Sequence, residues 1–197
     1  MDRESIMRVF REPPELETER LLLRKIVRRD TDDMFEYSCD PEVTRYLLWE
    51  PHPDRFHTGR YISYLQSRYR SGDFYDWGVI WKQTGKMIGT CGFTRFNFDA
   101  DSGEVGYVLN PAFWGIGIAP EAVRRVMTFG FYDLGLHRIE AKYMTDNIRS
   151  RAVMDKLGMK FEGVGRDSMY VKGEYVSIGT CAILRDEFVR RYGPYIP

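Results

Sequence analysis

The stretch LNPAFWGIGIAPEAVRRVMTFGF, Leu109 to Phe131, decides the fold of this chain. It begins as an apolar strand, which Pro111 ends because proline has no N–H to donate to a neighbouring strand. A parallel neighbour would separate from the strand at this point and leave a cleft. A turn that contains two glycines, 115–119, then leads into a helix. Pro120 fits the first helical position, where a missing donor costs little.

The backbone of this turn is suited to holding an anion. Glycines permit tight turning and close approach of a ligand, and the free N–H groups at a helix N-terminus suit a phosphate or pyrophosphate. A turn whose glycines only permit close packing explains a lone G-x-G equally well. A P-loop is excluded because Gly-Lys-Ser/Thr is absent. A dinucleotide fingerprint is disfavoured because Pro120 stands where its third glycine belongs and Asn110 to Trp114 separate strand from turn.

The composition indicates one well-packed domain. The chain has 197 residues, of which 43% are hydrophobic and 15% aromatic. Lys and Arg total 29, as do Asp and Glu, so the zero net charge gives no general attraction to nucleic acid or membrane. No apolar run has the length of a membrane span, and the charged N-terminus lacks a signal peptide, so we expect a cytosolic protein. The scattered cysteines and histidines predict no metal site.

The order of elements predicts an α/β chain with one mixed sheet of about seven strands and helices on both faces. Residues 1–16, which include REPPE, are predicted as an irregular lead-in to a domain over 17–197. FYDWGVIWK and KMIGTCGFTRF predict a β-hairpin, and GEVGYVL adds a third strand to it. A helix over 120–134, the strand HRIEAKYM, a helix from Asn147 to Leu157 and a final hairpin, MYVKGEYVSIGTCAIL, follow.

Four segments resemble the GNAT superfamily of N-acetyltransferases, in particular its ribosomal-protein-alanine branch (RimJ/RimL-like). ETERLLLR (17–24) is similar to the first strand of that branch, and DPEVTRYL (40–47) to its second helix. GEVGYVLNPAFWGIGIAPEAV (103–123) resembles the acetyl-CoA motif, and TDNIRSRAVMDKLGMKFEG (145–163) resembles the segment that follows it. The resemblance covers about residues 17 to 184. It implies the GNAT fold with a splayed strand pair, acetyl-CoA as cosubstrate and no metal.

The resemblance also implies which residues hold acetyl-CoA. The turn Trp114-Gly115-Ile116-Gly117-Ile118-Ala119 would bind the pyrophosphate through backbone N–H groups. The strand Tyr107-Val108-Leu109 would hydrogen-bond the pantetheine arm like an added strand. Asn147 would reach the same arm, and Ser150 would lie near the sulfur.

Two positions depart from the family pattern. Lys or Arg is frequent where Ile116 stands, so phosphate contacts here should depend on backbone amides. Many GNAT enzymes have a tyrosine at the position of Met154, where it protonates the leaving thiolate. Methionine cannot do so, and the acid role moves to Ser150 or to a water.

Acetyl transfer needs a base for the amine, donors for the carbonyl oxygen and a proton for the thiolate. Glu104 is the candidate base, directly or through water, since it lies on the strand that leads to the cofactor site. A backbone N–H near Val108 or Leu109 would meet the oxyanion, and Ser150 is the candidate acid. Two structural interpretations stay open: Glu104 as an ion-paired strand residue, and Ser150 as a helix serine that bonds locally.

The sequence therefore predicts an acetyl-CoA-dependent N-acetyltransferase that works by direct transfer in a ternary complex. The resemblance suggests a protein N-terminal amine as acceptor. A small amine, such as a polyamine, amino acid or aminoglycoside, is an alternative, as is a non-catalytic acyl-CoA-binding module. A dinucleotide oxidoreductase is a third class, which NAD(H) binding would reveal. A homodimer is compatible with the sequence, which does not decide the oligomeric state.

Overall fold

The computed structural model describes residues 2–194, in which seven α-helices surround one eight-stranded sheet. The helices are α1 (Arg3–Arg11), α2 (Thr31–Ser38), α3 (Pro41–Thr44), α4 (Arg55–Ser71), α5 (Ile118–Tyr132), α6 (Ile148–Lys156) and α7 (Arg185–Tyr192). The strands are β1 (Leu16–Glu17), β2 (Leu21–Arg24), β3 (Tyr75–Trp81), β4 (Lys86–Asn97), β5 (Ser102–Leu109), β6 (Arg138–Met144), β7 (Lys160–Val171) and β8 (Glu174–Leu184). Met1, in the predicted lead-in 1–16, lies outside the described range. Residues 195–197, at the end of the predicted domain 17–197, also lie outside it.

The sheet has the order β1-β2-β3-β4-β5-β6-β8-β7. Strands β5 and β6 are parallel, and the other neighbouring strands are antiparallel. The predicted α/β class and mixed sheet are confirmed. The eighth strand is β1, which has two residues and is too short to give a periodic signal in the sequence.

The parallel pair opens into a split. Strands β5 and β6 pair over residues 102–104 and 138–140, whereas β5 continues to Leu109 and β6 to Met144. Asn110 and Pro111 follow β5 directly, and Pro111 starts a 3₁₀ turn, Pro111–Phe113. The splayed strand pair is therefore present where the sequence predicted a cleft.

Helices cover both faces of the sheet and give two apolar cores. One core contains Phe10 of α1, Val126 of α5 and Phe188 of α7. The other contains Met34 of α2 and Ile62 of α4. Because side chains alternate along a strand, Val105 and Leu109 face the first core, and Glu104, Gly106 and Val108 face the α2/α4 side.

The prediction of an irregular lead-in is wrong for residues 3–11, which form α1. The Asp2 carboxylate accepts the Ser5 N–H at 2.8 Å and caps the helix. Ile6 and Phe10, four residues apart, share one face and are buried in the first core. Abundant charges concealed this narrow apolar stripe in the sequence.

The start of α5 also differs from the prediction. The helix begins at Ile118, two residues before Pro120, with Gly117 as its N-cap. Pro120 fits in the first turn because backbone N–H groups there have no carbonyl partner within the helix. The missing N–H of proline therefore costs no helical hydrogen bond. The helix end at Tyr132 comes two residues before the predicted end.

Candidate active site

The turn before α5 has the backbone that only glycine adopts easily. Gly115 and Gly117 have φ angles of +79° and +84°, in the left-handed region that other residues avoid. Within residues 2–194, no hydrogen bond to protein uses the backbone N–H of any residue from Gly115 to Ala119. These donors lie at the positive end of the α5 dipole. The turn therefore presents a concentrated set of donors to an anion.

A network of polar side chains holds the turn in place through one of its carbonyl groups. The Arg20 guanidinium donates to the Ile116 carbonyl at 3.0 Å and to the Glu121 carboxylate at 2.6 Å. The Thr18 hydroxyl donates to the same carboxylate at 2.5 Å. Burial acts to raise the pKa of Glu121, but the hydrogen bonds from Thr18 and Arg20 outweigh it and lower the pKa. Arg20 and Glu121 are far apart in the chain, so no local pattern in the sequence indicates that they meet.

The edge of β5 at the split carries free backbone groups. Asn110 N–H donates to Ile88 of β4 at 2.8 Å. Because bonding directions alternate along a strand, Val108 also turns its N–H and C=O to β4, and Tyr107 and Leu109 turn theirs to the split. The Leu109 carbonyl accepts the Trp114 indole N–H at 2.8 Å. The Leu109 N–H and the Tyr107 backbone thus remain available to a ligand, whereas the Val108 N–H does not.

Helix α6 brings Asn147 and Ser150 to the opposite wall of the split. The Asn147 side-chain carbonyl caps the helix by accepting the Ser150 N–H at 3.1 Å. The Tyr107 hydroxyl donates to Ser150 Oγ at 3.3 Å. Burial raises the pKa of Tyr107 to about 12. Met154 is buried in the first core, so it is a packing residue. A tyrosine from β5, Tyr107, therefore lies beside Ser150.

Trp114 forms part of the mouth of the split. The Arg149 guanidinium carbon lies 4.4 Å from the centre of the Trp114 ring, within cation–π distance. Arg149 also pairs with Glu42 of α3 at 2.8 Å. These contacts join the turn, α6 and α3 around one opening, and no local pattern in the sequence indicates them.

Glu104 lies at the base of the split, where β5 and β6 still pair. One carboxylate oxygen lies 2.9 Å from Arg95 Nε and 3.0 Å from Lys142 Nζ. The other accepts the Thr94 hydroxyl at 3.0 Å. The side chain is 16% exposed. The ion-paired state that the sequence left open is therefore present, and it restricts direct contact between Glu104 and an acceptor.

The described residues provide neither a cluster suited to a metal ion nor a helix suited to crossing a membrane. In residues 2–194, no group of three or more His, Cys, Asp or Glu side chains is arranged to hold a metal ion. None of the helices in this range is both long and apolar enough to span a bilayer.

An open mixed sheet that splits beside a turn of free N–H groups is the architecture of an acyltransferase class. The chain belongs to the GNAT family of N-acetyltransferases: a family model described as "Acetyltransferase (GNAT) domain" matches residues 20–160. The fold and acetyl-transfer chemistry implied by the sequence resemblance are thereby confirmed.

Two related proteins and one crystal structure show what the chain is similar to within this family. It is 35% identical over 173 residues, 88% of this chain and 97% of the relative, to the "uncharacterized N-acetyltransferase p20" of Bacillus licheniformis. It is 28% identical over 172 residues, 81% of this chain and 85% of the relative, to the Escherichia coli "[ribosomal protein uS5]-alanine N-acetyltransferase". A crystal structure of a GNAT-family acetyltransferase from Bacillus anthracis has a TM-score of 0.79 and 27% identity, covering 88% of this chain and all of that one.

Proposed function

We propose that this enzyme transfers the acetyl group of acetyl-CoA to the α-amine at the N-terminus of a protein. The observation that carries the cofactor assignment is the set of unpartnered N–H groups from Gly115 to Ala119 beside the open edge of β5. The name of the Escherichia coli relative supports a protein α-amine as acceptor. An α-amine has a pKa of about 8, so roughly a tenth of it is neutral at pH 7. The neutral fraction of a lysine amine is much smaller, because its pKa is higher.

The pyrophosphate of acetyl-CoA binds to the 115–119 turn in this proposal. Ile116 is 53% exposed and uncharged, so backbone amides and the α5 dipole supply the attraction. The pantetheine arm pairs with the free edge of Tyr107 and Leu109. Val108 contributes its side chain only, because its N–H is turned to β4. The Asn147 side-chain NH₂ is the donor that its helix-capping role leaves available to the arm.

The chemistry takes place between Leu109 and Ser150. The Leu109 N–H meets the oxygen of the tetrahedral intermediate. When the C–N bond forms and the C–S bond breaks, Ser150 Oγ–H donates a hydrogen bond to the sulfur, and Tyr107 supports Ser150. A phenol with a pKa of about 12 does not give its proton to a thiolate whose own pKa is near 8.5. The pair therefore stabilises the thiolate as it leaves. The proton of the attacking amine passes through a water to Glu104, and the thiolate takes its proton from solvent.

The Ser150–Tyr107 pair can be tested by deleting each hydroxyl. Ser150→Ala removes a donor to the developing thiolate and is expected to lower kcat about 100-fold. Tyr107→Phe is expected to lower kcat about threefold to tenfold, the value of one supporting hydrogen bond. Both variants should keep the wild-type Kd for acetyl-CoA, as measured by isothermal titration. Equal loss of kcat and of cofactor affinity would indicate a packing role and contradict the assignment.

Glu104 is proposed as the general base, acting through a water because two cations already pair with its carboxylate. Glu104→Gln retains the size of the side chain and removes its basicity. We expect kcat to fall about 100-fold, with little change in the Kd for acetyl-CoA. A pH–rate profile identical to that of the wild type would remove Glu104 from the mechanism.

An acceptor screen tests the function itself. Purified enzyme and acetyl-CoA are mixed with peptides that begin with alanine or serine, the same peptides with blocked N-termini and an internal lysine, and a panel of small amines. Mass spectrometry should detect one added acetyl group on the free N-terminal peptides. Acetylation of small amines alone would assign the alternative acceptor class. Acetyl-CoA binding without free CoA production across the panel would indicate a non-catalytic module.

A further inference from the structure

The turn between β1 and β2 is hydrogen-bonded to the first turn of α5. It consists of residues 18–20, inside the segment ETERLLLR (17–24) that resembles the family. The Thr18 N–H donates to the Leu21 carbonyl at 3.0 Å, and the Leu21 N–H donates to the Thr18 hydroxyl oxygen at 2.9 Å, which closes the turn. Its contacts with Glu121 of α5 include one between residues 101 positions apart in the chain. The β1–β2 turn and the start of α5 therefore form one unit.

The β1–β2 turn occupies both carboxylate oxygens of Glu121. Oε1 accepts the Thr18 hydroxyl at 2.5 Å and the Arg20 backbone N–H at 3.1 Å. Oε2 accepts Arg20 Nε at 2.6 Å and lies 2.6 Å from Arg20 Nη2. These four donors match the roughly four lone-pair sites of a carboxylate. Glu121 therefore takes its hydrogen bonds from the β1–β2 turn and leaves the N–H groups of 115–119 free.

Without these partners, the Glu121 carboxylate would compete with a bound phosphate. Side chains on a helix tilt towards its N-terminus, and a glutamate in the first turn commonly accepts a backbone N–H there. Ile118 and Gly117 stand three and four residues before Glu121, and their N–H groups are free of protein partners. A carboxylate is also attracted to the positive end of the α5 dipole, as a phosphate is. The β1–β2 turn thus holds an internal anion away from the donors that an external anion needs.

Arg20 also orients one of these donors directly. Its Nη1 donates to the Ile116 carbonyl at 3.0 Å. The Ile116 carbonyl and the Gly117 N–H belong to the same peptide group, and in a planar trans peptide the two point in opposite directions. The Gly117 N–H therefore points away from Arg20. A Cβ placed on Gly117 would lie 3.5 Å from Arg20 Nη2, so the guanidinium lies against this glycine.

We propose that Arg20 is a positioning residue for acetyl-CoA, which turns the Gly117 N–H to the pyrophosphate and, with Thr18, keeps the Glu121 carboxylate off the free N–H groups. This inference rests on the proposed acetyl-CoA site and adds to it the residues that keep its donors accessible. Arg20 acts through Ile116 and Glu121, so its loss lowers the affinity for the cofactor.

Isothermal titration of the full chain with acetyl-CoA tests this role without an acceptor. Arg20→Gln releases Glu121 and should raise the Kd about tenfold, the value of a hydrogen bond to a charged group. Arg20→Lys keeps the charge but loses the guanidinium fork, and should raise the Kd about threefold. Lys82→Gln is the matched control: Lys82 is 35% exposed against 36% for Arg20. It binds the β1–β2 turn through Glu17 and the Thr18 carbonyl, each at 2.7 Å. Its Kd should stay within about twofold of the wild type.

The double variant Arg20→Gln/Glu121→Gln gives a readout that a purely structural role would not produce. It removes the competing charge, so it should bind acetyl-CoA about threefold more tightly than Arg20→Gln although it lacks more of the network. Arg20→Lys decides against Lys82→Gln if Arg20→Gln does not fold. Arg20 variants that bind like the wild type, an equal loss in Lys82→Gln, or no recovery in the double variant would overturn the role of Arg20 alone. A wild-type protein that binds no acetyl-CoA would reject the proposed function, and this role with it.

Discussion

Gly117→Val is expected to raise the Kd for acetyl-CoA about tenfold to a hundredfold. Gly117 has a φ angle of +84°, and a β-branched residue is strained there by about 1–3 kcal/mol. The turn would relax to a conformation in which the N–H groups of 115–119 no longer converge. Since tenfold in affinity corresponds to about 1.4 kcal/mol, partial loss of this set of donors is sufficient for the effect. Isothermal titration with acetyl-CoA measures it directly.

The control for this prediction is Gly85→Val in the turn between β3 and β4. Gly85 has a φ angle of +73°, and a Cβ there would meet no atom within 4 Å, so the backbone strain is similar and the site is not involved. Gly85→Val should lower the melting temperature like Gly117→Val and leave the Kd within about twofold. If both variants lost the same affinity, the effect would arise from global stability, and the assignment of the turn would be wrong.

Phe10→Ala is expected to destabilise the protein by about 3–5 kcal/mol, the usual cost of removing a buried aromatic ring. Phe10 is fully buried, and its ring centre lies 5.0 Å from that of Tyr75 and 5.2 Å from that of Trp77. It also contacts Phe129 of α5. Removing the ring leaves a cavity between α1 and the sheet that these rigid neighbours cannot fill. Urea unfolding followed by circular dichroism measures the loss.

Phe56→Ala provides the comparison, because Phe56 is 75% exposed on α4. Its unfolding free energy should stay within about 0.5 kcal/mol of the wild type. A loss below about 1 kcal/mol for Phe10→Ala would mean that α1 is not part of the cooperative core. In that case, residues 1–16 would behave as the lead-in that the sequence predicted.

The features that the sequence predicted correctly are those with a local cause. Pro111 ends a strand because it has no N–H, and Gly115 and Gly117 permit left-handed backbone whatever surrounds them. The hairpins and the helices after β5 and β6 also follow from alternation, periodicity and nearby breakers. The family motifs added the class of reaction, and with it the expectation of acetyl-CoA, because their order along the chain is itself sequence information.

Tertiary structure alone decided which side chains meet. Glu104 is paired with Lys142, and Tyr107 with Ser150, because β5 lies next to β6 and α6. These partners are separated by many residues in the chain, and each contact depends on strand order and register. No local pattern encodes such contacts, so the sequence by itself determined the turn and the split, and only the folded sheet determined the charges and hydroxyls around them.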